Sequence, residues 1–147
     1  MSHVIQLTHI VFATKNRAMT IDEAHCEDLY RFITRLVQRK KCELKRINGT
    51  SNHVHILLNL HPQKTLSSLV GEIKHDTSVW MKESGLFPHF IGWCREYYAC
   101  SISPMVRDSV IEYIKNQKVH HSKVMMEDEF GALMRSAQLD SQGFMLE

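Results

Sequence analysis

Two short constellations in this chain carry residue types that could do chemistry. His53-Val54-His55 sets two imidazoles at positions i and i+2, and in a strand residues two apart project from the same face. Along a strand they stand roughly 7 Å apart by the rise per residue, so two ring nitrogens can converge on one divalent ion. Val54, Ile56 and Leu58 would then turn to the opposite side. Tyr113 and Gln117 are four positions apart, and on a helix that spacing stacks a phenol and an amide on one face. Neither signal is strong alone. The chain has ten histidines, so one such pair by chance is unremarkable. From spacing alone the favoured reading of Tyr113 is amphipathic packing, and that of Gln117 a solvent-facing helix position.

What could join them is the order of elements that position them. Residues 3–14 mix Val4, Ile5, Leu7, Ile10, Val11 and Phe12 with polar residues and read as a first strand buried on much of both faces. Thr20-Ile21-Asp22-Glu23 has the layout of a capping box, and Leu29, Phe32, Ile33, Leu36 and Val37 then recur at helical spacing, which predicts a helix running to about Lys41. Two β-prone runs, 43–47 and 53–60, flank Asn48-Gly49-Thr50, and Asn-Gly is a strong hairpin signal. Thr65 can cap a second helix whose apolar face is Leu66, Leu69, Val70, Ile73, Trp80 and Met81, ending before Gly85. Residues 91–102, rich in aromatic and β-branched types, read as a fourth strand.

The resulting βαββαβ order predicts an α+β fold, a ferredoxin-like or RRM-like antiparallel sheet with both helices on one face. Ser103-Pro104 then starts a further, C-terminal helix carrying Tyr113 and reaching about His121, with Val106, Val110 and Ile114 as its apolar stripe. That stripe needs a surface to cover, and the free face of the sheet, where His53 and His55 point, is the one available.

The 147 residues suit one domain, with 124–147 (Met125, Met126, Phe130, Leu133, Met134) forming a docking helix and a frayed tail. Composition is that of a soluble globular protein, with 44% hydrophobic and 23% charged residues. The apolar runs are too short for a bilayer span and the N-terminus lacks a signal-peptide layout, so a cytoplasmic location is expected. Cys26, Cys42, Cys94 and Cys100 form no CxxC pair, which points to reduced, structural thiols. A net charge of +2 does not announce nucleic acid. Basic residues do cluster at Arg35, Arg39, Lys40, Lys41, Lys45 and Arg46, an arrangement that a solvated helix end explains equally well.

Taken together, these segments resemble the single-tyrosine HUH transposases of small insertion sequences that move as single-stranded DNA. The resemblance runs through Thr8-His9-Ile10-Val11-Phe12-Ala13-Thr14-Lys15-Asn16-Arg17, Asn52 to Leu58, Leu69 to Trp80 and Trp93 to Ser103. It is most specific in Glu112-Tyr113-Ile114-Lys115-Asn116-Gln117 followed by His120-His121. It implies Tyr113 as nucleophile, His53, His55 and Gln117 as ligands of a divalent metal, and a homodimer whose tyrosine helix acts in trans or in cis; oxygen-rich substrate ligands favour Mg2+ or Mn2+ there, although imidazole would also accept zinc. It also implies a site-specific single-stranded DNA endonuclease and strand transferase acting on hairpin-containing element ends through a 5′-phosphotyrosine. The family usually shows Gly-Tyr-Gly-Ala-Phe where this chain has Glu96-Tyr97-Tyr98-Ala99-Cys100, and bulk in place of glycine alters how closely a strand can be approached.

Candidate DNA contacts are Arg39, Lys45 and Arg46 for phosphates and Tyr97 and Tyr98 for base stacking, whereas Trp93 reads as core. His9 on the first strand and His120-His121 after the tyrosine helix are weaker candidates to approach the site, with a satisfied or surface histidine the favoured reading of each; His61, His75, His89 and Glu112 read as structural or surface residues. Three alternatives belong to the same sequence: a non-catalytic RNA-binding module, since such sheets bind RNA on an open face; a hydrolytic metal-dependent nuclease; and a domesticated family member with altered DNA activity.

Overall fold

The structure, a computed structural model, describes residues 2–120 and 132. The chain divides into two units, Met1–Lys115 and Asn116–Glu147. The first carries β1 (Leu7–Ala13), α1 (Cys26–Arg39), β2 (Glu43–Gly49), β3 (His53–Asn59), α2 (Leu66–Ser84), β4 (Tyr98–Ser101) and α3 (Arg107–Lys115). In the second, among the described residues, lies a short helix, α4 (Gln117–His120). His121 and, apart from residue 132, the 124–147 segment fall outside the described residues.

The strands form one sheet in the order β2-β3-β1-β4, with every neighbouring pair antiparallel. This is the ferredoxin-like arrangement expected from the element order. Pleating sorts the side chains. Ile10 and Phe12 of β1 with Val54, Ile56 and Leu58 of β3 turn to one face, where they bury against Leu29, Ile33 and Val37 of α1 and Leu69, Val70 and Ile73 of α2. Side chains of that size each contribute roughly 1.5–3 kcal/mol on burial, so most of the fold's stability resides in this layer. Trp93 belongs to it: its indole Nε1 donates to Thr77 Oγ1 at 2.9 Å and its ring meets Phe12 edge-on at 4.8 Å.

On the other face a smaller cluster of Leu7, Leu57 and Ile114, flanked by Ile102, Val110, Ile111 and Tyr113, fixes α3 to the sheet. The stripe on this helix is therefore Val110, Ile111 and Ile114. Val106 was expected to join it but is exposed, because Pro104–Val106 forms a 3-10 turn that winds the chain differently before α3 begins. Ser103 caps that turn, its Oγ accepting from Met105 N at 3.2 Å.

Several boundaries differ from expectation for identifiable reasons. Helix α1 starts at Cys26 rather than near Thr20, because Asp22 Oδ1 accepts from Ala24 N at 2.9 Å and closes a local turn instead. The Asn48-Gly49 pair lies within β2, and the hairpin turns at Thr50-Ser51-Asn52. Glycine is required at 49 by close approach, since a Cβ there would lie 2.2 Å from the His53 carbonyl oxygen. Strand β4 spans four residues rather than twelve. Lys74 Nζ donates to the carbonyls of Cys94, Arg95 and Glu96 at 2.8, 3.1 and 3.1 Å, which holds those peptides out of a ladder. The expected continuous helix through 121 is interrupted at Asn116. Helix α2 matches expectation, with Thr65 Oγ1 accepting from Ser68 N and Gly85 closing it at φ 75°.

Candidate active site

His53 and His55 lie on β3 and are both fully buried on the α3-covered face. Their ring centroids are 5.2 Å apart and the planes are inclined by 65°. The surroundings of His53 select its tautomer. Its Nδ1 lies 2.8 Å from Asn52 Oδ1 and 2.9 Å from Thr50 Oγ1. The Thr50 hydroxyl is also 3.1 Å from Asn52 Oδ1, and Asn52 Nδ2 donates to the Arg17 carbonyl at 3.3 Å. An amide oxygen can only accept, so Nδ1 carries the proton and the lone pair of His53 sits on Nε2. That is the form in which histidine binds a metal, with its other nitrogen held by an oxygen acceptor.

His55 is bound differently. Its Nδ1 is 2.9 Å from Nε2 of His9, a residue expected to be structural or superficial but found 5% exposed on β1. Strand register explains the contact: Val11 is directly opposite His55 and His9 opposite Leu57, so His9 is the diagonal neighbour of His55 on the same face, within reach of a long side chain.

Tyr113, on α3, presents its ring edge-on to His55 at 5.6 Å and to His9 at 6.2 Å between centroids. Its helix is tethered by Asn48, on the strand position opposite His55, whose Nδ2 donates to the Lys115 carbonyl at 2.9 Å. This satisfies one of the last carbonyls of α3. Tyr113 and His55 thus meet on the α3-covered face, the side on which the helix and strand spacing places them. Gln117 was placed on the same helix as Tyr113, but it opens α4 in the second unit, where it is buried.

Among the described residues, no three His, Cys, Asp or Glu side chains group as a metal site. The two histidines therefore fit a metal only as a pair completed by a donor of another kind, such as an amide or phosphate oxygen. Their burial and the Nδ1-protonated form of His53 suit that role.

The proposed DNA contacts scatter. Arg46 shares the histidine face opposite Leu57 and is half-buried, and its Nε is buried without a hydrogen-bond partner among the described residues. Lys45 sits at the β2 bulge and pairs with Glu43 at 2.6 Å. Arg39 is exposed on α1, across the sheet from the histidines, so it is not brought to the site. Tyr97 is exposed, with Lys74 Nζ 5.5 Å from its ring centre, and is available for stacking. Tyr98 is not available, being 9% exposed with its ring edge-on to His9 at 6.0 Å. Burial, with Cys100 beside it, pushes its hydroxyl well above the ordinary tyrosine value. The bulk that replaces glycine at 98 thus fills space on the histidine face. Thr50, Asn52 and Asn48 were not singled out from sequence as site residues, and His9 was read as a satisfied or surface histidine in preference to one that approaches the site. Asn52 adjoins the histidine motif, but His9 is detectable only once the β1–β3 register is known.

A ferredoxin-like domain that buries two strand histidines beside a helix-borne tyrosine defines a narrow class of protein. The chain belongs to the IS200-like transposase family, whose model matches residues 4–117. It is 25% identical over 114 residues to the transposase for insertion sequence element IS200 of Salmonella typhimurium strain LT2, covering 74% of each chain. Among solved structures it resembles a candidate transposase of Deinococcus radiodurans R1 (24% identity, 80% of this chain and 95% of that one, TM-score 0.61). It also resembles a REP-associated tyrosine transposase bound to a REP hairpin (17% identity, 84% of this chain and 73% of that one, TM-score 0.62). These two likenesses support the fold.

Proposed function

We propose that this transposase cuts and rejoins single-stranded DNA through a covalent 5′-phosphotyrosine on Tyr113, with a divalent metal at His53 and His55. The observation that carries the reading is the shared face: the Tyr113 ring lies 5.6 Å from His55, whose neighbour His53 has its Nε2 lone pair fixed by Asn52.

The phenol oxygen of Tyr113, its proton lost to solvent, attacks the scissile phosphorus in line. The P–O3′ bond breaks, the 3′-oxygen leaves and takes up a proton, and the 5′-phosphate stays on tyrosine. Bond energy is conserved in the phosphotyrosine, so a 3′-hydroxyl can later displace Tyr113 and rejoin the strand. Helix α3, docked by Ile114 and tethered by Asn48, holds the nucleophile in place, which is worth far more than random encounter. A Mg2+ or Mn2+ held by His53 and His55 would supply charge neutralisation on the phosphate and stabilisation of the departing oxygen. Gln117 is the candidate third donor, from its own chain or from a partner's in a homodimer; that assignment rests on the family pattern.

A hairpin held by the similar REP-associated transposase supports folded single strands at the element ends as the substrate. Arg46, on the histidine face, and the exposed Tyr97 are the basic and aromatic candidates to meet such a strand. The RNA-binding alternative needs an open sheet face, and α3 occupies it. To test the reading, the protein is incubated with Mg2+ or Mn2+ and single-stranded DNA from the flanks of its own gene. Cleavage is expected, lost on chelation by EDTA and in His53→Ala. Cleavage that persists in EDTA would overturn the metal role.

A further inference from the structure

The bond between His9 and His55 has a direction that the chemistry of ligation determines. Both imidazoles are buried, their rings stack at 5.1 Å between centroids, and His9 Nε2 lies 2.9 Å from His55 Nδ1. With Nδ1 of His55 committed to His9, the nitrogen left to ligate is Nε2. In a neutral ring Nε2 keeps its lone pair only if Nδ1 holds the proton. We propose that His9 is a positioning residue for the metal site, accepting the Nδ1 proton of His55 on its own Nε2 and so fixing the tautomer and ring orientation in which His55 ligates.

This rests on the reading of His55 as a ligand, and it mirrors what Asn52 does for His53. Each ligand ring spends Nδ1–H on a neighbouring acceptor and presents Nε2. The two acceptors differ in kind, an amide oxygen for His53 and an imidazole nitrogen for His55. His9 is itself confined, with ring edges at Tyr98 and Tyr113, 6.0 and 6.2 Å between centroids. Tyr98, where the family usually has glycine, thus supports the ring that orients a ligand.

Wild type, His9→Leu and His9→Gln distinguish this role from simple packing. Leucine fills much of the space without an acceptor, whereas the glutamine Oε1 can stand where His9 Nε2 stands. The proteins are compared by long-range 1H–15N NMR of the imidazoles without metal, and by calorimetric titration with Mn2+ alone. The wild-type spectrum is expected to show His55 protonated at Nδ1. His9→Leu should raise the Mn2+ Kd by about 10–100-fold, and His9→Gln should return it to within a few-fold of wild type. A wild-type His55 protonated at Nε2, an unchanged Kd in His9→Leu, or equal losses in both variants would overturn the proposal. Should His9→Leu fail to fold, the wild-type tautomer and the His9→Gln affinity decide the matter. A wild-type protein that binds no Mn2+ would instead overturn the ligand reading on which the proposal rests.

Discussion

In the proposed metal site, each histidine of the HVH pair is oriented by a residue that the pair itself does not announce. His53 draws on Thr50 and Asn52, which sit in the hairpin turn directly before it, and Asn52 is oriented in turn by the Arg17 carbonyl. Such second contacts commonly set metal affinity nearly as strongly as the ligands. Asn52→Leu is therefore expected to weaken Mn2+ binding by about tenfold or more while leaving the fold intact, as measured by calorimetry beside a circular dichroism melt. Tyr113, His53 and His55 were legible as candidates because strand and helix periods project them predictably. His9 was not, because its role depends on a register between strands more than forty residues apart in sequence, and spacing along the chain carries no trace of it. Tyr98 misled for a related reason: an aromatic near a site invites a stacking role, and only the face on which it falls shows that it packs against His9.

At the scale of elements, the hairpin that bears the histidines depends on Gly49. A methyl group there would meet the His53 carbonyl oxygen at 2.2 Å, and that atom is backbone, so the strands must part to accept it. Gly49→Ala is expected to cost about 1–3 kcal/mol, the usual range for overpacking, and to lower cleavage more than stability because the displaced residue, His53, is a proposed ligand. Chemical denaturation and a cleavage assay on the same sample separate the two. Helices α1 and α2 are tied by Lys40 and Glu72 at 2.8 Å. The hydrogen bond from Lys40 is the main cause that holds the Glu72 carboxyl below its ordinary value of 4.5. A carboxyl depressed in the folded state stabilises it fully above the unfolded value, and the contribution disappears as pH falls through the folded one. Wild type should therefore exceed Lys40→Met slightly at neutral pH, and urea midpoints of the two should converge as pH is lowered through the carboxylate range. The strand and helix order was readable from periodicity, but the short β4 was not. Its precursor segment looks β-prone throughout, and it is the three carbonyls held by Lys74 that deny it a ladder.

For the whole molecule, the two faces of the sheet differ in what they contribute. The α1/α2 side carries the main core, and the α3 side a small cluster centred on Leu7, Leu57 and Ile114 that positions Tyr113, the proposed nucleophile. Stability and function are thus partly separable. Ile114→Ala should remove roughly 2–5 kcal/mol of local packing and release α3, so its amides would exchange much faster than those of β1 and β3. Hydrogen exchange would check this, and protection of α3 equal to that of the central strands would contradict it. The break at Asn116, where one continuous helix was expected, divides the chain into units between Tyr113 and Gln117; no proline or glycine stands in residues 113–117 to signal it.

Covalent chemistry at Tyr113 can be read directly in one labelling experiment. A single-stranded oligonucleotide spanning an element end is labelled on the 3′ side of the cleavage site and incubated with Mg2+. The label is expected to become covalently attached to the protein, peptide mapping by mass spectrometry to find it on Tyr113, and Tyr113→Phe to form no adduct. An adduct on another residue, or cleavage of the same strand by Tyr113→Phe, would contradict it.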